Sequence, residues 1–334
     1  MSRRKRNRFH HGVRITALAV ALAALAGCAS SWYPVGERAA IAIVEDDVFV
    51  AADGARLALH RWLPAEPARA VIVGVHGFND YGNAFAIPAA TWTANGLAVY
   101  AFDQRGFGAS DAPGLWAGVD AMVDDLAEAV AAIRARHPGL PIHVVGISMG
   151  GAVAMVAAAR GRLPEVSGTA LVAPAVWGRE TMSMVERALL SLTRHTVPWL
   201  TLTGRGLDIT PTDNIAMLRA LGADPLVIKE TRVDTIAGLV DLMDAARAAV
   251  PDIDSRLLVL YGAHDEIIPK QPTASMLCTL AAPHRVVVYR DGYHMLLRDL
   301  QADLVHRDVA AWVADPQAPL PSDSGGTVTD FFGC

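Results

Sequence analysis

The sequence predicts an α/β fold in which a mostly parallel β-sheet is covered by helices on both faces. From residue 70 onward, short apolar runs rich in β-branched residues alternate with stretches of helical periodicity. These runs are apolar throughout instead of alternating with polar residues, which indicates strands buried on both faces. The 334 residues are 52% hydrophobic, which is enough to fill the core of one large domain.

Eight strands are predicted, and the first two form an antiparallel pair at the edge of the sheet. The Asp53-Gly54 dipeptide between these two strands is a hairpin signal. The strands are expected at residues 48–51, 56–63, 70–76, 97–103, 142–147, 169–173, 256–261 and 285–289. The helices are expected at residues 119–136, 149–160, 272–282 and 296–312. Together these elements define a domain at residues 45–315.

The alternation stops after the sixth strand, where about 80 residues show only helical patterns, at 180–192 and 237–249. A structureless loop of this length is unusual in a compact domain, so residues 174–235 are interpreted as a helical insertion. In open α/β sheets, ligands bind beyond the carboxyl ends of the strands. The insertion is therefore expected to form a cap over the ligand site.

The first 27 residues have the pattern of a secretory signal. A basic stretch precedes an apolar run of about 12 residues, which is shorter than the roughly 20 residues of a bilayer-spanning helix. The run ends in Leu25-Ala26-Gly27-Cys28, which resembles the lipobox of bacterial lipoproteins. The resemblance implies lipidation of Cys28, and Ala29 in place of aspartate implies the outer membrane, facing the periplasm. An ordinary secretory signal or an uncleaved anchor are the alternatives.

Composition excludes several classes of protein and partner. Six of the 29 Lys and Arg residues lie in the leader, so the rest of the chain is acidic and nucleic-acid binding is not expected. Residues 28–44 are interpreted as a linker, and the polar residues 316–334 as a disordered tail. Cys278 is expected to be a buried free thiol, although pairing with Cys334 is possible in an oxidising compartment. No cysteine–histidine spacing indicates a metal site, so no metal or cofactor is expected.

The clearest chemical motif is the sequence Gly146-Ile147-Ser148-Met149-Gly150. The G-x-S-x-G pattern is weak by itself, but here an apolar strand precedes it and an alanine-rich helix follows it. A sharp strand-to-helix turn lifts a serine hydroxyl above the sheet edge, and the two glycines avoid collisions with neighbouring backbone. Ser148 is therefore the candidate nucleophile, with a surface serine in a glycine-rich turn as the structural alternative.

A serine hydroxyl needs a base, and the base needs a group that orients it. Asp265 and His294 each follow one of the last two strands, so both are expected on the same side of the sheet as Ser148. Glu266 and Asp291 are the rival acids. Three other histidines, His60, His137 and His264, are less well placed.

The developing oxyanion also needs hydrogen-bond donors. The Met149 N–H directly after the nucleophile is the first candidate. The second candidate is the Phe78 N–H, in the loop after the predicted strand 70–76. His76 in the same loop is interpreted as structural.

These motifs together resemble the α/β-hydrolase fold. The segment Asp103-Gln104-Arg105-Gly106-Phe107-Gly108-Ala109-Ser110 is similar to the D-x-R-G-x-G-x-S turn of the monoacylglycerol lipase and lysophospholipase group. The resemblance covers about residues 45–315 and implies ester hydrolysis through an acyl-enzyme without a cofactor. Asp103 and Arg105 are interpreted as loop-packing residues. Met295 departs from the group, which often has glutamate after the histidine.

The expected function is carboxylic-ester hydrolysis of a lysophospholipid or monoacylglycerol by an enzyme anchored to a membrane. A small-ester esterase, a thioesterase, a peptidase and an acyltransferase use the same triad, and an inert envelope lipoprotein is the non-enzymatic alternative. The sequence does not indicate the oligomeric state. The apolar residues of the cap have two interpretations, as the lining of an acyl-chain slot or as the cap's own core: Met182, Met184, Val185, Leu189, Leu190, Leu192, Trp199, Leu200 and Leu202.

Overall fold

A computed structural model describes residues 29–204, 206, 208–322 and 331–333. The leader and Cys28 lie outside these residues. The centre of the structure is a nine-stranded sheet in the order β1-β2-β3-β5-β4-β6-β7-β10-β11. Its strands are β1 Ile43–Val44, β2 Val48–Val50, β3 Arg56–Trp62, β4 Ala70–Val75, β5 Leu97–Phe102, β6 Ile142–Ile147, β7 Gly168–Val172, β10 Leu257–Gly262 and β11 His284–Tyr289.

The sheet confirms the predicted fold class and all eight predicted strands. Strands β1, β2 and β3 are antiparallel, β3 pairs antiparallel with β5, and the remaining pairs are parallel. Gly54 has a φ of 84° in the predicted hairpin between β2 and β3. The ninth strand, β1, has only two residues, which is too short for a recognisable pattern.

Helices cover both faces of the sheet. Helices α1 and α8 pack on one face, whereas α2, α3, α6 and α7 pack on the other. Helix α1 was not predicted because Pro88 interrupts its pattern, but proline is tolerated in a first helical turn. The eight helices of the described chain are α1 Ala86–Ala94, α2 Val119–Arg136, α3 Met149–Ala159, α4 Met184–Thr196, α5 Ile215–Ala223, α6 Val233–Ala249, α7 Lys270–Thr279 and α8 Ala302–Ala314.

The insertion after β7 is a cap, as the helical pattern predicted. It contains α4, α5 and a two-stranded antiparallel ribbon of β8 Thr201–Leu202 and β9 Thr231–Arg232 that was not predicted. The chain then returns to the sheet in α6, which packs against α3. No helix in the described ranges is long and apolar enough to cross a membrane.

The two ends of the domain differ from the prediction. The predicted linker includes β1 and the buried Tyr33. In the predicted disordered tail, Leu320 and Phe332 are buried, at 4% and 8% exposed. Isolated apolar residues in these two segments bury their side chains in the domain. The sequence did not indicate this because isolated apolar residues form no periodic pattern.

Cys278 is not the buried free thiol that was expected. It lies in α7 with an exposed side chain, and it is disulfide-bonded. The other two cysteines of the chain, Cys28 and Cys334, are outside the described residues.

Candidate active site

Ser148 sits at a sharp turn between β6 and α3, as predicted. Its backbone has a φ of 50° and a ψ of −112°, a strained conformation for a residue other than glycine. A Cβ atom on Gly150 would lie 2.0 Å from the Val75 carbonyl oxygen, and one on Gly146 would lie 2.5 Å from the Gly150 carbonyl oxygen. The turn can therefore form only with glycine at both positions.

Asp265 and His294 meet beyond the ends of β10 and β11. The Nδ1 atom of His294 lies 2.8 Å from Asp265 Oδ2. The other carboxylate oxygen accepts hydrogen bonds from the Ile267 and Ile268 amides, each at 2.9 Å. Because the carboxylate can only accept, Nδ1 donates and Nε2 is left available as a base.

The other acids and histidines considered for the acid and base roles have other partners or lie exposed. Glu266 accepts a hydrogen bond from the Thr210 amide, and Asp291 is exposed. The three rival histidines each contact another side chain: His60 with Asp103, His137 with Tyr100, and His264 with Tyr293. Among these candidates, Asp265 and His294 are hydrogen-bonded to each other, and His294 lines the same cavity as Ser148.

The loop after β4 lies beside Ser148. A Cβ atom on Gly77 would be 3.5 Å from the Ser148 Cβ atom. Within the described chain, neither the Phe78 N–H nor the Met149 N–H donates to a protein acceptor. Both backbone donors are therefore available to a ligand near Ser148.

The His76 ring links this loop to the segment after β5. Its Nε2 accepts the Gln104 amide at 2.9 Å, so Nδ1 donates to the Gly77 carbonyl at 2.8 Å. Burial lowers the pKa of His76 and keeps the ring neutral. The structural interpretation of His76 is therefore confirmed.

The D-x-R-G turn also has the expected packing role. Arg105 is buried and donates to Asp53 and Asp125. Its hydrogen bonds hold the pKa of Asp53 down, at about 2, against the opposing effect of burial. Asp103 accepts hydrogen bonds from the Gly82 and Ala109 amides.

Ser148 and His294 line one cavity of about 480 Å³. Most of its lining is apolar and comes from the domain, the cap and α6. The apolar lining includes Phe78, Ile147, Trp177, Met182, Leu221, Val227, Ile236, Leu239, Val240, Met243, Ile267 and Leu297. No group of three or more His, Cys, Asp or Glu residues in the described parts of the chain could hold a metal ion.

Part of the cavity lining is charged, through a pair of residues that the sequence did not indicate. Arg298 Nη1 lies 2.7 Å from Asp80 Oδ2, and the two side chains are 8% and 18% exposed. The pair joins the Phe78 loop to the His294 loop. Because the two residues are 218 positions apart, no local pattern could have indicated their contact.

Residues 211–231 of the cap are hydrogen-bonded to both of these loops, and we call this segment the fixed half of the cap. The Asn79 carbonyl accepts the Ile228 amide at 2.9 Å, and the Tyr81 hydroxyl donates to Asp224 at 2.8 Å. Burial and the bond to Asp224 raise the pKa of Tyr81 to about 12. On the other side, the Met295 amide donates to the Pro211 carbonyl at 3.0 Å.

The nine apolar cap residues fit neither interpretation as a group. Of these, only Met182 lines the cavity, and Leu190 packs partly buried against the core. The other seven side chains are exposed, and we call them the cap apolar surface: Met184, Val185, Leu189, Leu192, Trp199, Leu200 and Leu202. The sequence shows that these residues are apolar, but it does not show whether their side chains face the cavity, the core or solvent.

The fold and the arrangement of Ser148, His294 and Asp265 define a hydrolase of the α/β-hydrolase fold. A family model described as serine aminopeptidase, S33, matches residues 66–301, and the chain belongs to that family.

Relatives of known activity are similar over most of the chain. A monoacylglycerol lipase of Mycolicibacterium smegmatis is 28% identical over 269 residues, covering 79% of this chain and 95% of the relative. The human monoglyceride lipase is 25% identical, covering 80% and 90% of the two chains. A soluble variant of the Saccharomyces cerevisiae monoglyceride lipase, solved with a substrate analogue, shares the fold with a TM-score of 0.67 at 20% identity, covering 86% of this chain and 97% of that one.

Proposed function

We propose that the protein hydrolyses monoacylglycerol-like carboxylic esters through an acyl-enzyme on Ser148. The observation that carries the proposal is that His294, hydrogen-bonded to Asp265, lines the same apolar cavity as Ser148, which sits on a strained turn. Each member of this arrangement has a defined role in acyl transfer.

The proposed reaction has two halves. The Ser148 Oγ atom attacks the ester carbonyl while its proton passes to His294 Nε2, and Asp265 stabilises the imidazolium. The Phe78 and Met149 amides donate to the oxyanion. The ester C–O bond then breaks, and the leaving alcohol takes the proton from His294. Water attacks the acyl-enzyme in the same way, which releases the carboxylic acid and restores the serine.

The lining of the cavity favours an acyl chain with a small neutral alcohol. Its apolar walls match a hydrocarbon chain. Arg298, a cation of the described lining, is already paired with Asp80, so it is a poor partner for the phosphate of a lysophospholipid. The activities of the similar monoacylglycerol lipases support the same substrate class.

A peptidase is the second candidate, because the family description names a serine aminopeptidase. An aminopeptidase needs an acidic group to bind the substrate ammonium. In the cavity, Asp80 is paired with Arg298, and next to it Asp265 is bonded to His294. Neither carboxylate is free for an ammonium group, so the ester substrate is favoured.

The location of the enzyme is a separate proposal. Residues 1–27 are a signal peptide, and Cys28 carries a lipid that anchors the chain in the outer membrane, facing the periplasm. The order of basic stretch, apolar run and lipobox supports this. Mass spectrometry of the N-terminal peptide tests it: an acylated Cys28 is expected, and an unmodified cysteine contradicts it.

The reaction is tested with four substrates presented to the wild type and Ser148→Ala. They are p-nitrophenyl butyrate, 1-oleoylglycerol, a lysophosphatidylcholine and leucine p-nitroanilide. We expect the two neutral esters to be hydrolysed, with a loss of at least about 10³-fold in Ser148→Ala. Ser191→Ala, an exposed serine in α4, is the matched control. Turnover of the anilide alone would replace the proposal with a peptidase, and activity that survives Ser148→Ala would refute the nucleophile.

Product analysis separates the remaining serine-dependent reactions. With glycerol or another alcohol present, a hydrolase releases the free acid, whereas an acyltransferase forms a new ester. A thioesterase is identified by preference for an acyl thioester over the matched oxygen ester.

A further inference from the structure

The chain is fixed to the domain almost as soon as the described residues begin. The Ser31 amide donates to Asp234 Oδ2 at 3.0 Å, and the Tyr33 amide donates to the Trp116 carbonyl at 2.9 Å. Tyr33 is buried, with its ring 5.6 Å from the Arg105 guanidinium. We call residues 31–40 the strap.

The far end of the strap is held as firmly. Arg38 donates to Asp125 at 2.9 Å and to Glu128 at 2.6 Å. The Ala39 and Ala40 amides both donate to the Ala52 carbonyl. The strap is therefore bound at both ends, which fixes the point at which the chain from Cys28 joins the domain.

That point lies next to the cap. Asp234, the partner of Ser31, donates its own amide to the Pro198 carbonyl at 3.1 Å. The neighbouring Val233 amide donates to the Leu200 carbonyl at 2.9 Å. Between these two carbonyls is Trp199, which is 53% exposed and belongs to the cap apolar surface.

Cys28 is three residues before Ser31, and three extended residues reach at most about 10 Å. A lipid on Cys28 would therefore enter a bilayer close to Trp199. An anchor at another part of the surface would need a long linker, which the strap does not leave.

Helix α4 has the amphipathic pattern of a helix that lies on a lipid surface, with its apolar face turned outward. Met184, Val185, Leu189 and Leu192 are 58–78% exposed, and their spacings of one, four and three residues place them on one face of the helix. On the opposite side, Arg194 pairs with Asp241 of α6. A surface helix normally buries its apolar face, and an apolar face turned to solvent marks a binding surface.

We propose that the strap directs the membrane anchor to the side of the molecule that carries the cap apolar surface, so that one phospholipid bilayer takes up both. This proposal rests on the proposed lipidation and on a lipid substrate. A short tether gives the cap apolar surface a high effective concentration at the bilayer, and two membrane signals bind more stably than one. The cavity beneath the cap then faces the membrane that holds its substrate.

Quenching of tryptophan fluorescence by brominated phospholipids tests the orientation without using activity. The full chain, purified from membranes, is placed in phosphatidylethanolamine–phosphatidylglycerol vesicles with and without brominated acyl chains. Trp32 of the strap and Trp199 of the cap are about equally exposed, at 50% and 53%. Trp199→Phe and Trp32→Phe should each remove roughly half of the bromine-dependent quenching, since tryptophan at the bilayer interface reports on this depth.

Trp62→Phe is the matched control, because Trp62 ends β3 at the opposite end of the sheet from Ser148. Its substitution should leave the quenching unchanged. Three outcomes overturn the proposal. Quenching that depends on Trp32 alone means an anchor without cap contact, and quenching that depends on Trp199 alone means cap contact without a directed anchor. Quenching that depends on neither means that another occupant, such as a protein, covers the cap apolar surface.

Two further measurements separate the underlying proposals. Cys28→Ser should weaken vesicle flotation, and an unchanged flotation refutes the anchor. Ser148-dependent hydrolysis of p-nitrophenyl butyrate in solution reports on the active site alone. Failure of the orientation therefore differs from failure of the enzymatic function.

Discussion

The two halves of the cap have similar composition, but one is hydrogen-bonded to the loops of the candidate active site and the other exposes apolar side chains to solvent. The fixed half, residues 211–231, is hydrogen-bonded to the Phe78 loop and to the His294 loop. Residues 179–202, the outer half, contact α6 through Arg179 and Arg194, which pair with Asp241 and Asp244. The outer half leaves seven large apolar side chains exposed.

The two halves therefore differ in their hydrogen-bond partners: the fixed half is bonded to the loops beside the cavity, whereas the outer half is bonded to α6. The fixed half is part of the active site because its backbone and side chains complete the loops that carry the candidate donors and base. The outer half adds little to the cavity, and its apolar residues are available for a surface outside the molecule. Substitutions in the two halves should therefore have different consequences.

The largest difference is expected between two ion pairs. Asp80→Ala leaves Arg298 unpaired in a nearly buried position, and we expect a loss of about 3–5 kcal/mol in the free energy of unfolding. Arg194→Ala in the outer half breaks a partly exposed pair and should cost less than about 1 kcal/mol. Urea denaturation measures both, and equal losses would contradict the difference between the two loops that bind the fixed half and the outer half of the cap.

A second large effect on the free energy of unfolding is expected from a histidine in the central sheet, outside both halves of the cap. His143 is buried against Trp312, and burial lowers its pKa to about 4. The unfolded chain takes up a proton below about pH 6.5, whereas the folded protein resists protonation, so stability present above that pH is lost as the pH falls towards 4. The loss should be about 3 kcal/mol. Urea denaturation at pH 7 and 4.5 should show a smaller loss in His143→Gln, and an identical loss would rule out this histidine.

A smaller effect is expected for a single bond of the fixed half. Tyr81→Phe removes the hydroxyl that donates to Asp224, and we expect a cost of about 1 kcal/mol. Because the Tyr81 loop carries Phe78, hydrolysis of soluble p-nitrophenyl butyrate should fall several-fold at saturating substrate. A change in stability without any change in kcat would mean that the contact is only structural.

The smallest effect is expected for the cap apolar surface. Leu192→Ser replaces a side chain that is 62% exposed, so the free energy of unfolding should change by less than about 0.5 kcal/mol. Urea denaturation checks it. A loss of 2 kcal/mol or more, typical of a core leucine, would place Leu192 in the interior of the protein in solution.

The sequence was most informative where function depends on local geometry. The strand, the two glycines and the helix around Ser148 are contiguous, and Asp265 and His294 each follow a recognisable strand. The helix α1 and the strand β1 were missed because one contains proline and the other has two residues.

The contacts that complete the site join residues far apart in the sequence. Asp80 with Arg298, Asn79 with Ile228 and Ser31 with Asp234 depend on how loops meet after folding. The direction of the apolar cap side chains has the same origin, since it depends on which face of α4 the ion pairs with α6 cover. No pattern within one segment carries this information.

The division of the cap is tested most directly by one ratio: kcat/KM for vesicle-borne 1-oleoylglycerol divided by kcat/KM for soluble p-nitrophenyl butyrate. Each exposed leucine contributes about 1.5 kcal/mol or more when it is buried in an apolar phase, so the ratio should fall at least about tenfold in Leu189→Glu/Leu192→Glu. Leu63→Glu, an exposed leucine next to β3, is the control. In Tyr81→Phe both rates should fall together and the ratio should stay constant. An unchanged ratio in the double glutamate variant would contradict the account, and so would a lower ratio in Tyr81→Phe.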